Sequence, residues 1–166
     1  MAKISAAAIA FGLCLSGLAG AKPFENKVYQ FRVNFPTEAG TFREQGLGQT
    51  AAQIFLSRPA RYQSYQVMVL DQARPRSDLL QMVRHRSGKY TEVEVRDDKR
   101  QGRHVIYWSR IDESGVPGCY LLLATAKHSY IVSAVGFDLG LQQKFLDSFS
   151  IIPRTRIPGR ERRPIP

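Results

Sequence analysis

The 166 residues carry 24 lysines and arginines against 14 aspartates and glutamates, a formal net charge of +10, with 43% hydrophobic and 23% charged residues. This is globular composition at a length that suits one domain with a real core, so no second domain is needed. The charge is uneven: residues 154–166, "RTRIPGRERRPIP", hold five arginines against Glu161 and so contribute +4.

Residues 1–21 open with Lys3, continue with an apolar run from Ile4 to Leu18 and end in Ala19-Gly20-Ala21, the small-x-small pattern of an export signal cleaved after Ala21. Ser5, Gly12, Ser16 and Gly17 dilute the run below what a membrane anchor requires, so the mature chain is expected to have no transmembrane helix. Leu13 stands before Cys14 where lipid attachment would want a small residue. Once the signal is removed, Cys119 is the remaining cysteine and no internal disulfide is possible. Its setting, "GCYLLLATA", predicts a buried thiol in a strand, with no flanking base to activate it.

The domain proper spans residues 22–153. "VYQFRVNFP" (28–36) puts Tyr29, Phe31, Val33 and Phe35 on one face, a half-buried strand. "TFREQG", "AAQIFLSRP" and "YQVMVLD" come next across short turns, which predicts three successive antiparallel hairpins. Gly46 to Ala51, "GLGQTA", fits the dinucleotide spacing G-x-G-x-x-A, with Asp71 downstream. That turn needs an apolar strand before it and a long helix after it; here polar "TFREQ" precedes and β-rich "AQIFLSRP" succeeds it, so Gly46 and Gly48 read as positive-φ residues of a hairpin.

Between Arg76 and Gly88 the period becomes helical, with Leu79, Leu80, Met82 and Val83 on one side and Ser77 or Asp78 as cap. "YTEVEVRDD" alternates as a one-faced strand. "RHVIYWSRID", "CYLLLATA" and "YIVSAVGF" are apolar on both faces, as internal strands are. "LGLQQKFLDSF" closes the domain with Leu141, Phe145, Leu146 and Phe149 at helical spacing. The expected fold is α+β, an antiparallel sheet of six to eight strands flanked by two helices.

The export signal, "YQFRVNFP", "YQVMVLD" leading into a helix, "GRHVIYW", "SYIVSAVG" and the closing "FLDSF" together resemble the PsbP-like group over residues 28–153. After Pro36 the chain departs from the better-described members, with "TEAGTFRE" in place of their short tryptophan-bearing helix. The resemblance implies a PsbP-like α/β/α sandwich that acts as an accessory or docking protein. It carries over no catalytic motif.

The residues themselves name no chemistry: there is no nucleophile elbow, Cys-x-x-Cys, His-Glu-x-x-His or P-loop. If the strands pair about a Glu113 to Gly118 loop, His104 faces Lys127 and lies beside His128 at one sheet end. A metal would lack a third ligand there, and Lys127 and Arg103 make the place electropositive, so surface histidines are expected. His85 falls on the solvent side of its helix. The adjacent carboxylates Asp97-Asp98 and Asp112-Glu113 point to opposite faces and cannot converge on one atom; Trp108 reads as core.

The expected function is therefore a secreted, periplasmic or extracellular, non-enzymatic accessory or binding domain without cofactor, docking an envelope protein or an anionic surface. Arg154, Arg156, Arg160, Arg162 and Arg163 are the candidate anionic-surface residues, on an extended, solvated tail. Export and the lack of aromatics among those arginines argue against nucleic acid. The alternatives are a carrier of a small apolar ligand and, third, an unrecognised hydrolase. N-terminal sequencing of protein from the native host is expected to begin near Lys22; an intact Met1 in a membrane fraction contradicts the export reading.

Overall fold

The computed structural model describes residues 23–47 and 50–153. The signal segment 1–21 and the tail 154–166, and with them Arg154, Arg156, Arg160, Arg162 and Arg163, lie outside the described residues. The elements run β1 (Phe24–Asn26), β2 (Phe31–Val33), β3 (Gly40–Leu47), β4 (Thr50–Ser57), β5 (Ser64–Leu70), α1 (Arg76–Arg86), β6 (Tyr90–Arg100), β7 (Arg103–Asp112), β8 (Pro117–Ala124), β9 (Ser129–Val135), α2 (Leu139–Ser148) and β10 (Ser150–Ile151). The fold is α+β: a seven-stranded antiparallel sheet in the order β3-β4-β5-β9-β8-β7-β6, a three-stranded sheet β1-β2-β10, and two helices. No described helix is long and apolar enough to cross a membrane.

Alternation along the strands sorts the apolar residues into two cores. Tyr65, Val67, Val69, Leu121, Tyr130 and Val132 face α2 and the small sheet, whose Phe31, Val33, Phe145 and Phe149 complete that core. Met68, Ile106, Trp108, Leu122 and Ile131 face α1, which supplies Leu79 and Val83. Eleven helical residues rise only about 16 Å, so α1 caps part of its face and ends at Arg86.

Several expectations are corrected. The strand foreseen over 28–36 shrinks to Phe31–Val33, because Asn26 Oδ1 accepts from Tyr29 N at 2.9 Å and Gln30 takes φ 55°, which turns the chain after β1. That strand pairs with β1 and β10 rather than β3, so the first of the three hairpins does not form. Phe31, Val33 and Phe35 are buried as expected, but by laying β2 over the sheet instead of joining it. Helix α1 begins behind Pro75, whose carbonyl accepts from Asp78 N and Leu79 N, and no side chain caps it; neither Ser77 nor Asp78 plays that part. Strand β6 is a sheet edge with Val93, at a register shift, and Val95 both exposed. Cys119 lies in β8 but is only half-buried, at the rim of the α2 face beside Tyr107. Gly46 belongs to β3, and the "GLGQTA" stretch leads into strand β4, not into a helix.

Trp108 is fully buried between Tyr90 and Tyr120, and its Nε1 donates to Glu92 Oε2 at 2.7 Å. Arg84 of α1 donates to both oxygens of the same carboxylate at 2.8 Å, so one glutamate joins α1, the edge strand and the core. Burial pushes the Glu92 carboxyl up, but hydrogen bonds from Arg84 and Trp108 and the Arg84 charge outweigh it and hold the group below its ordinary value. A folded-state pKa below the unfolded one stabilises above the unfolded value and is lost as pH falls through the folded one. Glu92→Ala strands a buried indole N–H and is expected to cost about 1–3 kcal/mol in denaturant unfolding at neutral pH. The difference from wild type should narrow in acid; a constant difference would show that the carboxylate charge plays no part.

Candidate functional site

Three chain ends meet over the start of β9. Arg74 N donates to Ser129 Oγ at 2.7 Å and pins the connection into α1 there. The Gln101-Gly102 turn, with φ 50° and 71°, reverses β6 into β7 so that Arg103 and His104 open the latter strand. Strand β8 ends at Ala124 in a turn held by Thr125, whose Oγ1 donates to His128 O at 3.0 Å and accepts from His128 N at 3.1 Å. Between these ends lies a cleft of about 480 Å³ bordered by Arg74, Pro75, Arg76, Arg103, His104 and Ala124–Ala126.

Arg76 is engaged by Asp97 at 2.7 Å. Lys99 is paired in register with His104 on the neighbouring strand, and Lys127 lies in the turn after β8. Among the described residues, Lys99, Arg103 and Lys127 have no acidic partner. The first turn of α1 presents the positive end of the helix, offset by Asp78. Arg103 is felt as far as Tyr130: burial pushes that phenol up to about 12, against the lowering effects of the Thr125 hydrogen bond and the Arg103 charge. Guanidinium, ammonium and helix-end N–H groups at one rim suit an anion's oxygens, by charge and by planar hydrogen bonding.

The two histidines do not meet. The connection from β7 to β8 is shorter than expected, with Pro117 already in the strand opposite Ile111. Continuing that register sets His104 level with Ala124, and Lys127 falls in the turn. His128 packs its ring on Tyr29 and Tyr130, at 5.5 and 6.4 Å, on the α2 side, and its Nδ1 is buried without a hydrogen bond. His104 faces the α1 side. Among the described residues no group of three or more His, Cys, Asp or Glu side chains is placed to hold a metal.

The carboxylate pairs serve locally: Asp97 holds Arg76, and Asp112 Oδ1 accepts from Ser114 N and Val116 N at 2.9 Å to shape the turn before β8. His85 is exposed on α1. The arginines missed by sequence reasoning are Arg74 and Arg76. The signal was "ARPRSD", two cations astride a proline at a helix start, but only the topology carries them to the rim with Arg103.

No family model matches the sequence, and no curated protein matches it. Among solved structures, a crystal structure of a protein from Bacteroides thetaiotaomicron VPI-5482 is similar with a TM-score of 0.40 and 11% identity, over 81% of this chain and 49% of that one. The chain thus spans about half the length of that structure.

Proposed function

We propose that this chain is an exported, non-enzymatic accessory or binding domain of the PsbP-like kind, which docks an envelope partner through that partner's anionic groups. The observation that carries the reading is that Lys99, Arg103 and Lys127, none with an acidic partner among the described residues, lie at the end of the sheet where Arg74, Arg76, Arg103 and His104 line the cleft, Lys99 bordering the neighbouring cleft against α2. Cations brought together by three separate chain ends form a surface for phosphates or carboxylates, and the arginines of 154–166 add to it in the same sense. The carrier reading draws on the groove of about 600 Å³ between α1 and β6, but Arg76, Arg96 and Asp97 stand in its wall beside Leu80, Val95 and Ile106. Charged walls suit an apolar ligand poorly.

Sedimentation with vesicles of phosphatidylglycerol and phosphatidylcholine tests the docking reading. Binding is expected at about 0.01 M salt, where the Debye length is about 30 Å, and loss of it near 1 M, where it is about 3 Å. Arg103→Gln with Lys127→Gln should weaken binding by about tenfold or more, since each cation near an anionic surface contributes about 1 kcal/mol. A chain ending at Pro153 measures the tail separately. Retention that ignores both salt and the double substitution removes the cleft from the function.

A further inference from the structure

A second feature lies at the opposite end of α1. Because the helix stops at Arg86, two cross-strand rows on its face of the sheet extend beyond it: Ser64, Val135, Gly118 and Arg110 in one, Gln66, Ser133, Tyr120 and Trp108 in the next. All of these but Gly118 and the buried Trp108, together with Met68 and Ile131 at the inner edge, line a cleft of about 220 Å³, walled by Val83, Arg86 and Ser87 of the helix end. The same face is apolar under the helix and polar past it, and the polar groups are not consumed by the fold. Among the described residues, the side chains of Ser64, Gln66 and Ser133 make no hydrogen bond within the protein.

Arg110 gives this cleft its chemistry. The residue is 8% exposed, on an internal strand, in a position where an apolar side chain would be expected. Its Nε donates to Tyr120 Oη at 3.1 Å, which leaves the phenol proton for another acceptor. Its Nη1 is buried with no hydrogen-bond acceptor, the nearest carboxylate oxygen being Asp112 Oδ2 at 3.8 Å. Gly118, paired opposite Arg110, leaves the room: a Cβ there would meet the Tyr120 ring and Val135 Cγ2 at 3.3 Å. A guanidinium taken out of water and left short of an acceptor is costly unless something supplies one.

The surrounding charges restrict what that is. Arg86 is held by Glu44 at 3.1 Å, and Glu92, level with Arg110 on β6, is taken by Arg84 and Trp108. With Asp112 near Arg110, each arginine at this end of α1 already faces one carboxylate. A dianion such as phosphate would add two negative charges to a cluster already balanced, whereas a monocarboxylate adds one and matches the planar donors of Arg110 and the Tyr120 hydroxyl. The volume admits a molecule of a few non-hydrogen atoms, and the hydroxyls and the Gln66 amide require further polar groups on it.

We propose that the cleft at the C-terminal end of α1 binds a small hydroxylated monocarboxylate, its carboxylate held by Arg110 and Tyr120 and its hydroxyls by Ser64, Gln66 and Ser133. This site is independent of the docking rim at the other end of the helix. The test is titration of the isotope-labelled full chain with lactate and glycerate, alongside acetate and inorganic phosphate, monitored by amide chemical shifts. The shifts of Ser64, Gln66 and Ser133 are expected to move together with lactate and glycerate, and less with acetate or phosphate.

Arg110→Lys keeps the charge but not the planar fork and should weaken binding by about tenfold or more; Ser64→Ala with Ser133→Ala, which removes no internal hydrogen bond, should weaken it by about threefold to tenfold. The serine pair keeps the test valid should Arg110→Lys fail to fold. The proposal is overturned if no hydroxy acid moves these amides, if phosphate or acetate binds as tightly, or if the serine double variant binds like wild type.

Discussion

A sheet that is apolar on both faces has to be covered on both, and in this fold the two covers are unequal. On one side α2 and the small sheet bring Phe31, Val33, Phe145 and Phe149 down together and close the face. On the other, α1 is the cover among the described residues, and its Leu79 and Val83 seal only the rows beneath it. Because a buried strand cannot leave apolar residues bare where the cover ends, the strands change character there, from Met68, Ile131 and Leu122 to Gln66, Ser133 and Tyr120 within one step along the register. The helix length thus decides where apolar core gives way to polar floor.

One carboxylate ties that helix to both the sheet edge and the core, beside the Arg76–Asp97 and Arg86–Glu44 pairs at its ends. Glu92 takes the indole N–H of the fully buried Trp108 and two nitrogens of Arg84, so the helix is fixed to the sheet's edge through a bond the core also needs. The register shift between Glu92 and Glu94 interrupts the pairing of β6 with β7 at this point. A bulge beside a charged edge also blunts that edge, whose exposed Val93 and Val95 lie among Glu94, Arg96, Asp97 and Asp98. With α1 so held, one of its ends borders a cationic rim and the other a polar cleft, and the two serve different chemistry: an open surface for an anionic partner and a partly desolvated guanidinium for a single small acid.

Ion pairing explains why the rim is more than a count of basic residues. Many of the arginines visible in the sequence are spent: Arg32 on Glu25, Arg43 on Asp71, Arg76 on Asp97, Arg84 on Glu92 and Arg86 on Glu44. Such exposed pairs contribute little stability each, but they offset the positive charge of the arginines that form them. The charges left uncompensated among the described residues include Lys99, Arg103 and Lys127, and the topology puts these at one end.

The sequence alone determined the elements whose pattern is local. The two-sided apolar character of "RHVIYWSRID" and "YIVSAVGF", the helical spacing of Leu79 and Val83 or of Phe145 and Leu146, and the α+β class all derive from local runs and periods of apolar residues. Trp108 as core was legible for the same reason. Tertiary structure decided whatever needed a partner from elsewhere in the chain. A strand with one apolar face, such as that of Phe31 and Val33, satisfies its pattern equally well in the sheet or lying across it, and only packing against the apolar side of α2 and the sheet selected the second. His104 and His128 were separated by a register set by the length of one turn. Arg110 is not marked in the sequence, because a charged residue near a strand end reads as solvent-facing; that it is buried depends on Gly118, Tyr120 and the end of α1, none of which is its neighbour in sequence.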